Sequence, residues 1–181
     1  MKNRSEMEKM LATLCDETIA YSTRLEAYEY LQEDCEEMVE TMLEKFYQSQ
    51  GETADMLIEI LAEYKGNKAV YMGLVSYLYR GDDIALYARL LGKYGDESAI
   101  EVLKSFAEST DLNYNEYMEI RNAVEELGGY FEDKEGDYQD DEFYRYLKGL
   151  DETDDESRRS PFEDMLNPDT HDHEHIDDEE E

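Results

Sequence analysis

Two consecutive segments of the chain, residues 55–81 and 83–109, align with each other at a spacing of about 30 residues. Residues 61–70 read LAEYKGNKAV, and residues 91–100 read LGKYGDESAI. A third unit begins at residues 119–133, EIRNAVEELGGYFED, and repeats the alanine, the Leu-Gly pair and a second glycine. Self-similarity at a period of about 20–50 residues indicates stacked supersecondary units, because each unit buries its apolar side against the next.

Apolar residues along the chain follow the period of an α-helix. One example is the N-terminal stripe of Met7, Met10, Leu11, Leu14 and Cys15, with the spacing i, i+3, i+4, i+7, i+8. Proline is absent from residues 1–160, and no segment alternates apolar and polar residues as a strand does. We therefore predict an all-α fold of antiparallel helical hairpins, because short turns join the helices. The predicted helices lie at about 5–20, 23–32, 35–49, 53–64, 68–79, 83–93, 97–108, 115–127 and 141–149.

Helix starts are predicted from capping boxes, in which a side-chain oxygen accepts an unpaired backbone N–H and an acid three residues later reaches back. Three pairs have this spacing: Ser5 with Glu8, Thr23 with Glu26, and Asp34 with Glu37.

The segment ARLLGKYGDESAIEVL, residues 88–103, resembles the repeat unit of the HEAT-like proteins, an α-solenoid family. IRNAVEELGG, residues 120–129, resembles the first half of that unit, including Arg121, and the resemblance covers roughly residues 53–130. It implies a curved stack of helix pairs that serves as a scaffold or protein-binding surface, without common catalytic residues. The predicted fold is therefore a short α-solenoid, with N-terminal helices at 1–50, repeats and a last helix at 51–150, and a disordered acidic tail at 151–181.

The glycines around residue 93 allow two interpretations, a phosphate-binding loop or the joint between two helices. A phosphate-binding loop needs a preceding strand and the spacing Gly-x-x-x-x-Gly-Lys-Ser/Thr, and the sequence has neither. We therefore expect Gly92 and Gly95 to end one helix and Asp96 to cap the next.

The chain carries a formal net charge of −32, and 15 of its 49 acidic residues lie in residues 151–181. This charge argues against direct binding to nucleic acid or to an anionic membrane, because both require Lys and Arg. It favours solubility and a basic protein partner.

Cellular location is inferred from the two cysteines and the apolar segments. Cys15 and Cys35 lie on apolar helical stripes, so we interpret them as reduced core residues of a cytoplasmic protein. No secretion signal is recognised, and the longest apolar run, residues 69–79, is about half the length that spans a bilayer.

All three histidines, His171, His173 and His175, lie in the tail segment HDHEH. Clustered imidazoles and carboxylates can hold zinc, nickel or copper, but we expect a flexible tail to bind a metal weakly or not at all. The folded body has no histidine to serve as a general base, and its cysteines and carboxylates form no catalytic set. We therefore predict no enzymatic activity and no cofactor.

The tail segment SPFEDMLNP, residues 160–168, has the pattern of a short recognition helix at 160–167. Phe162, Met165 and Leu166 have the spacing i, i+3, i+4, and Asn167 and Pro168 end the turn. This segment could bind a partner, dock on the protein's own helices, or do neither.

The chain has 16 tyrosines and no tryptophan, and several of the tyrosines crowd into residues 64–94. They are either amphipathic edges of the core or an exposed binding face. We choose Tyr71, Tyr77, Tyr87 and Tyr94 as candidate partner-binding residues, together with the apolar residues of the tail helix.

The leading functional hypothesis is a non-enzymatic interaction module that binds a protein partner, with no direct nucleic-acid or membrane binding. The first alternative is an acidic DNA mimic or chaperone-like inhibitor of a basic nucleic-acid-binding protein. The second is a metal-handling accessory protein that uses the histidine tail.

Overall fold

The structure, a computed structural model, describes residues 3–33 and 35–150, apart from the side chain of Glu135. Within these residues every regular element is helical and no strand occurs, which confirms the all-α prediction. The predicted tail, residues 151–181, lies outside the described residues. The α-helices are α1 (Arg4–Cys15), α2 (Tyr21–Gln32), α3 (Val39–Gln48), α4 (Gly51–Leu61), α5 (Lys68–Leu78), α6 (Ile84–Tyr94), α7 (Ala99–Ser109), α8 (Tyr114–Glu126) and α9 (Glu142–Lys148), with short 3-10 helices at Glu36–Met38 and Glu135–Tyr138.

Consecutive helices pack as pairs: α1 with α2, α3 with α4, α5 with α6, and α7 with α8. The second helices of neighbouring pairs also contact each other, since α2 packs on α4 and α6 packs extensively on α8. All four pairs belong to one compact unit that ends at Tyr144, so the predicted N-terminal region and the repeats lie in the same unit.

Apolar residues from α1 to α8 form one continuous buried cluster. Leu14, Leu31, Phe46, Leu57 and Leu74 are fully buried in it, and each comes from a different helix. Burial of this apolar surface stabilises the helices, because isolated helices of 10–13 residues are marginal in water.

Helix α1 is shorter than predicted, because it ends at Cys15 rather than near residue 20. The side chain of Asp16 accepts hydrogen bonds from the backbone N–H and the hydroxyl of Thr18, which stabilises a turn there. Asn3 caps the start of α1 and Ser5 lies inside it, so the capping box predicted at Ser5 is wrong.

Of the other two predicted capping boxes, Thr23 lies inside α2, which begins after Ala20 without a side-chain cap, so that prediction is also wrong. The third involves Asp34, which lies outside the described residues. A capping box that was not predicted begins α8: Asn113 accepts from the N–H of Glu116, and Glu116 accepts from the N–H of Asn113.

The joint between α6 and α7 agrees with the second interpretation of the glycine segment. Gly95 adopts a left-handed conformation with φ +82° and ends α6. Asp96 accepts hydrogen bonds from the N–H and hydroxyl of Ser98 in the turn before α7, but the N-cap residue of α7 is Ser98, so the prediction that Asp96 caps this helix is wrong. Gly92, however, lies inside α6, so its predicted role as a helix stop is wrong. A Cβ atom at Gly92 would lie 2.8 Å from the Cα atom of Ala123 in α8, so this glycine allows close helix packing.

A second unit begins at Arg145. Its described part, residues 145–150, contains the last turn of α9. The backbone N–H of Leu150 donates to the carbonyl of Arg145, and Gly149 has φ +64°, so α9 ends there.

Candidate protein-binding surfaces

Three of the four tyrosines chosen from the sequence lie in the core rather than on an exposed face. Tyr77, Tyr87 and Tyr94 are buried, and Tyr71 is half-buried and packs against the core. The expectation that these rings form an exposed binding face is therefore corrected for the three buried tyrosines. Each of their hydroxyls has a polar partner in an earlier part of the chain. Tyr77 and Tyr87 thereby join neighbouring helical pairs, and Tyr94 joins the two helices of one pair.

Side-chain hydrogen bonds repeatedly join residues 27–32 positions apart, which is close to the repeat spacing in the sequence. We call this set the offset ladder. Its members are Arg24 with Thr53 at 2.7 Å, Tyr28 with Glu59 at 2.9 Å, Tyr87 with Asp55 at 2.9 Å, and Tyr94 with the carbonyl of Asn67 at 2.8 Å. The first three bonds connect one helical pair to the next. The bond from Tyr94 instead joins α6 to Asn67, the N-cap residue of α5, within the third pair.

Arg24 is a buried polar residue that was not predicted from the sequence as a site residue. Its Nε donates to the carbonyl of Leu14 at 3.0 Å, Nη1 to Glu52 at 3.2 Å, and Nη2 to Thr53. Arg24, Ala27 and Leu31 have the spacing i, i+3, i+7 on the buried side of α2, and this spacing was the available signal for the burial of Arg24. All three contacts join Arg24 to other residues of this chain, so its role is to hold α2 against α1 and α4.

One exposed surface lies on α5 and carries no charge. Residues 69–79 contain no charged side chain, and Ala69, Met72, Ser76 and Tyr79 are exposed there. Tyr47 of α3 adjoins them, because its hydroxyl would lie 3.4 Å from a Cβ atom placed at Gly73. The exposed fractions are 52% for Tyr47, 51% for Met72 and 54% for Tyr79. We call this surface, Tyr47 with the four exposed α5 residues, the α5 face.

A second surface is a groove of about 410 Å³ between α2 and α4. We call it the α2–α4 groove, and it is lined by Tyr21, Leu25, Tyr28, Glu52, Asp55, Met56 and Glu59. It therefore combines two tyrosine rings and two apolar side chains with three carboxylates.

The polar side chains of the α2–α4 groove are held by specific hydrogen bonds. Tyr28 donates its hydroxyl proton to Glu59 at 2.9 Å and accepts from Nε2 of Gln32 at 2.6 Å. Burial, and then the hydrogen bond to Glu59, raise the pKa of Tyr28. The groove tyrosine Tyr28 is therefore a neutral hydrogen-bond donor at physiological pH.

Asp55 lies at the side of the groove that adjoins α6, where Tyr87 donates to it. Burial raises the pKa of Asp55, and the nearby carboxylates of Asp83, Glu59 and Asp82 raise it further, while the hydrogen bond from Tyr87 lowers it. These carboxylates give the groove a negative potential that favours a cation.

Two further cavities have less defined chemistry. One of about 620 Å³ is lined by α1, α3 and the half-buried Cys15, whose thiol pKa is raised by burial, so the thiol is not activated as a nucleophile. The other, of about 330 Å³, lies beside α7 and α8 and includes Lys104, Tyr117, Phe131 and Lys134. Its lysines are offset by the carboxylates of Glu108 and Glu132 in the same lining.

The remaining predicted site residues lie outside the described part of the chain. They are His171, His173 and His175 of the proposed metal cluster and Phe162, Met165 and Leu166 of the proposed tail helix. Within residues 3–33 and 35–150, no group of three or more His, Cys, Asp or Glu side chains is arranged to hold a metal ion. None of the helices in this range is both long and apolar enough to span a lipid bilayer.

Comparisons of this chain with protein-family models, with curated proteins and with solved structures yield no match.

Proposed function

We propose that this chain is a non-enzymatic interaction module, a small HEAT-like solenoid that binds a protein partner in the cytoplasm. The consecutive helix pairs and the three bonds of the offset ladder that cross between pairs support the solenoid part of the proposal, because repeat proteins bond each unit to its neighbour. The α5 face supports the binding part, and it is the observation on which the proposal depends.

The α5 face is unusual for this chain because charged residues make up 36% of the sequence and none lies between Lys68 and Arg80. Solubility alone does not explain why charged residues are absent from three helical turns of an exposed helix. An uncharged surface costs little to remove from water, because no ion loses its hydration. Exposed uncharged patches of this kind mark protein-binding sites.

The residue types of the α5 face are those enriched at protein interfaces. Tyr47 and Tyr79 each provide a large ring with a polar hydroxyl, and Met72 adapts its flexible side chain to an irregular partner surface. The two tyrosines take the role first assigned to Tyr77, Tyr87 and Tyr94. We expect the partner to present an apolar surface, for example one side of an amphipathic helix.

The proposal is tested by affinity capture from native lysate with the full-length chain and with Met72→Glu. A carboxylate at the centre of the α5 face has to be desolvated on binding, so we expect loss of the captured partner by tenfold or more. Because the contact is apolar, capture by the wild-type chain should persist when salt rises from about 50 to 500 mM.

Asn122→Glu is the matched control, because Asn122 is an exposed, uncharged residue of α8 and the substitution adds the same charge. It should capture the partner as well as the wild-type chain does. The proposal fails if Met72→Glu and Asn122→Glu capture the same proteins in equal amounts, provided that both have the wild-type melting temperature.

The two alternative functions give other outcomes in the same experiment. An acidic mimic would capture basic proteins that are released between about 50 and 500 mM salt, since exposed charge pairs are screened. A metal-handling protein would lose bound metal when residues 169–181 are deleted, because this deletion removes His171, His173 and His175.

A further inference from the structure

We infer that the α2–α4 groove is a docking site for an arginine-bearing segment of a partner protein. The inference goes beyond the proposed function, because it names a second surface and the chemistry of the side chain that this surface takes. The α2–α4 groove and the α5 face share no residue, so the two proposals can fail separately.

The groove has the size and lining of a side-chain binding site. Its volume of about 410 Å³ lies in the range of about 300–1,000 Å³ that is typical of ligand sites. Leu25 and Met56 provide an apolar part that suits the methylene stem of a long side chain. Tyr21, with an exposed fraction of 54%, and Tyr28 provide two rings whose faces attract a cation.

The charges of the groove favour a cation. Glu52, Asp55 and Glu59 line it, and none of the lining residues is Lys or Arg. Two cations pair with these carboxylates, Arg24 with Glu52 at 3.2 Å and Arg89 with Glu59 at 4.0 Å, and neither pairs with Asp55. The negative field of Asp82 and Asp83 also reaches Asp55.

Acceptor atoms remain available for an incoming guanidinium. Tyr87 donates to Oδ1 of Asp55, and within residues 3–33 and 35–150 no hydrogen-bond donor contacts Oδ2. Arg24 pairs with Oε2 of Glu52, whose side chain is 54% exposed. A partner's guanidinium can therefore bond to Asp55 or to Glu52 without displacing an existing hydrogen bond.

The chemistry of the groove distinguishes arginine from lysine. A guanidinium is planar, so it stacks on a tyrosine ring and presents a fork of N–H donors to a carboxylate, whereas an ammonium is a strongly hydrated point charge. A second copy of this chain does not fit the charge of the groove, because each copy carries a net charge of −32.

The test uses three synthetic 14-residue peptides that have the same alanine-based helical sequence, without the leucines that an apolar surface such as the α5 face would bind. Four positions on one side hold arginine, lysine or the neutral arginine analogue citrulline. Binding to the full-length chain is measured by fluorescence anisotropy at 150 mM NaCl. We expect the arginine peptide to bind about three- to tenfold more tightly than the lysine peptide, and the citrulline peptide not to bind.

The groove variant is Asp55→Asn combined with Glu59→Gln, since both amides keep an oxygen that accepts from Tyr87 or Tyr28. We expect it to weaken the arginine peptide by about tenfold. The control is Glu40→Gln combined with Glu44→Gln, two exposed residues of α3 that remove the same charge outside the groove. The control should change the affinity by less than about twofold.

Tyr21→Ala tests the aromatic contribution, because Tyr21 is exposed and the substitution leaves every carboxylate in place. We expect it to weaken the arginine peptide by about three- to fivefold and the lysine peptide by less. Met72→Glu should leave peptide affinity unchanged, which separates this site from the α5 face.

The inference is overturned if the α3 control pair weakens the arginine peptide as much as the groove pair does. That outcome would mean that the peptide responds to the total charge, including the acidic residues at 151–181. Equal affinity for the arginine and lysine peptides would likewise overturn the assignment of arginine.

Discussion

Arg24 makes three contacts that join α2 to the end of α1, through the carbonyl of Leu14, and to the first turn of α4, through Glu52 and Thr53. Arg24→Ala leaves the carbonyl of Leu14 and the hydroxyl of Thr53 without this donor. We expect the free energy of unfolding to fall by about 2–3 kcal/mol, measured by urea denaturation. Arg24→Lys should lose most of the same amount, because an ammonium cannot make the three forked contacts.

The matched control is Arg4→Ala, which removes an exposed pair between Arg4 and Glu8 in α1. Such a pair contributes at most about 0.5 kcal/mol. An Arg24→Ala variant as stable as Arg4→Ala would contradict the structural role of the buried guanidinium.

The raised pKa of Asp55 makes the free energy of unfolding depend on pH. Because the pKa of Asp55 is raised in the folded protein, the folded state holds the proton more tightly than the unfolded state. Its contribution to stability is therefore most favourable below the unfolded pKa of about 4 and decreases as pH rises through the folded pKa. Asp55→Asn should be more stable than wild type at pH 7, by less than about 1 kcal/mol, and equal to it near pH 3.5.

Denaturation at pH 3.5, 5 and 7 checks this expectation. Glu44→Gln, an exposed change of the same charge, corrects for the general benefit of removing one negative charge. A difference between Asp55→Asn and Glu44→Gln that stays constant across these pH values would refute it.

At the scale of the elements, the contact of α6 with α8 depends on Gly92. Gly92→Ala brings a Cβ atom to 2.8 Å from the Cα of Ala123 and 3.0 Å from its Cβ, so the helices have to move apart. Alanine favours a helix by up to about 1 kcal/mol over glycine, but overpacking costs about 1–3 kcal/mol. We expect a net loss of about 1–2 kcal/mol in urea denaturation.

Gly136→Ala is the control, because no atom lies within 4 Å of a Cβ at that position and its φ is not positive. It should leave stability within about 0.5 kcal/mol of wild type. Equal stability of the two variants would show that α6 and α8 accommodate the added methyl group.

The helices themselves could be predicted from the sequence because the apolar stripes have a clear period. The self-similar segments 55–81 and 83–109 group α4 with α5 and α6 with α7, whereas the closest packing joins α5 to α6 and α7 to α8, so the self-similarity did not reveal which helices pack as pairs.

Helix ends were less predictable, since Ser5 and Thr23 have capping-box spacing yet both lie inside helices. Asn3 caps the start of α1 and a turn at Asp16 ends it, while α2 begins after Ala20 without a side-chain cap. Local spacing cannot reveal which of several nearby polar residues reaches the free N–H groups.

The surfaces were predicted less well than the helices, for a reason particular to tyrosine. A tyrosine ring fits either the core or the surface, and its hydroxyl needs only one polar partner when it is buried. Tyr77 and Tyr87 find such partners in the preceding helical pair, while Tyr47 and Tyr79 do not become buried. That difference depends on packing between pairs, which a single sequence does not specify.

At the scale of the whole molecule, the net charge of −32 opposes compaction, because like charges come closer together in the folded state. We expect the melting temperature to rise by several degrees as NaCl increases from about 10 to 500 mM, since the Debye length falls from about 30 to below 10 Å. Differential scanning fluorimetry measures the shift. The Glu40→Gln and Glu44→Gln pair should show a smaller one, and a melting temperature that falls with salt would mean that ion pairs outweigh the repulsion.

The offset ladder also bears on how the chain folds as it is synthesised. Each of its bonds closes a loop of 27–32 residues, so the entropy cost of forming each one is small and nearly the same. For three of the four bonds, a newly made helical pair finds its bonding partner in the pair that left the ribosome just before it. Folding can therefore proceed from the N-terminus in steps of one pair, without waiting for the end of the chain.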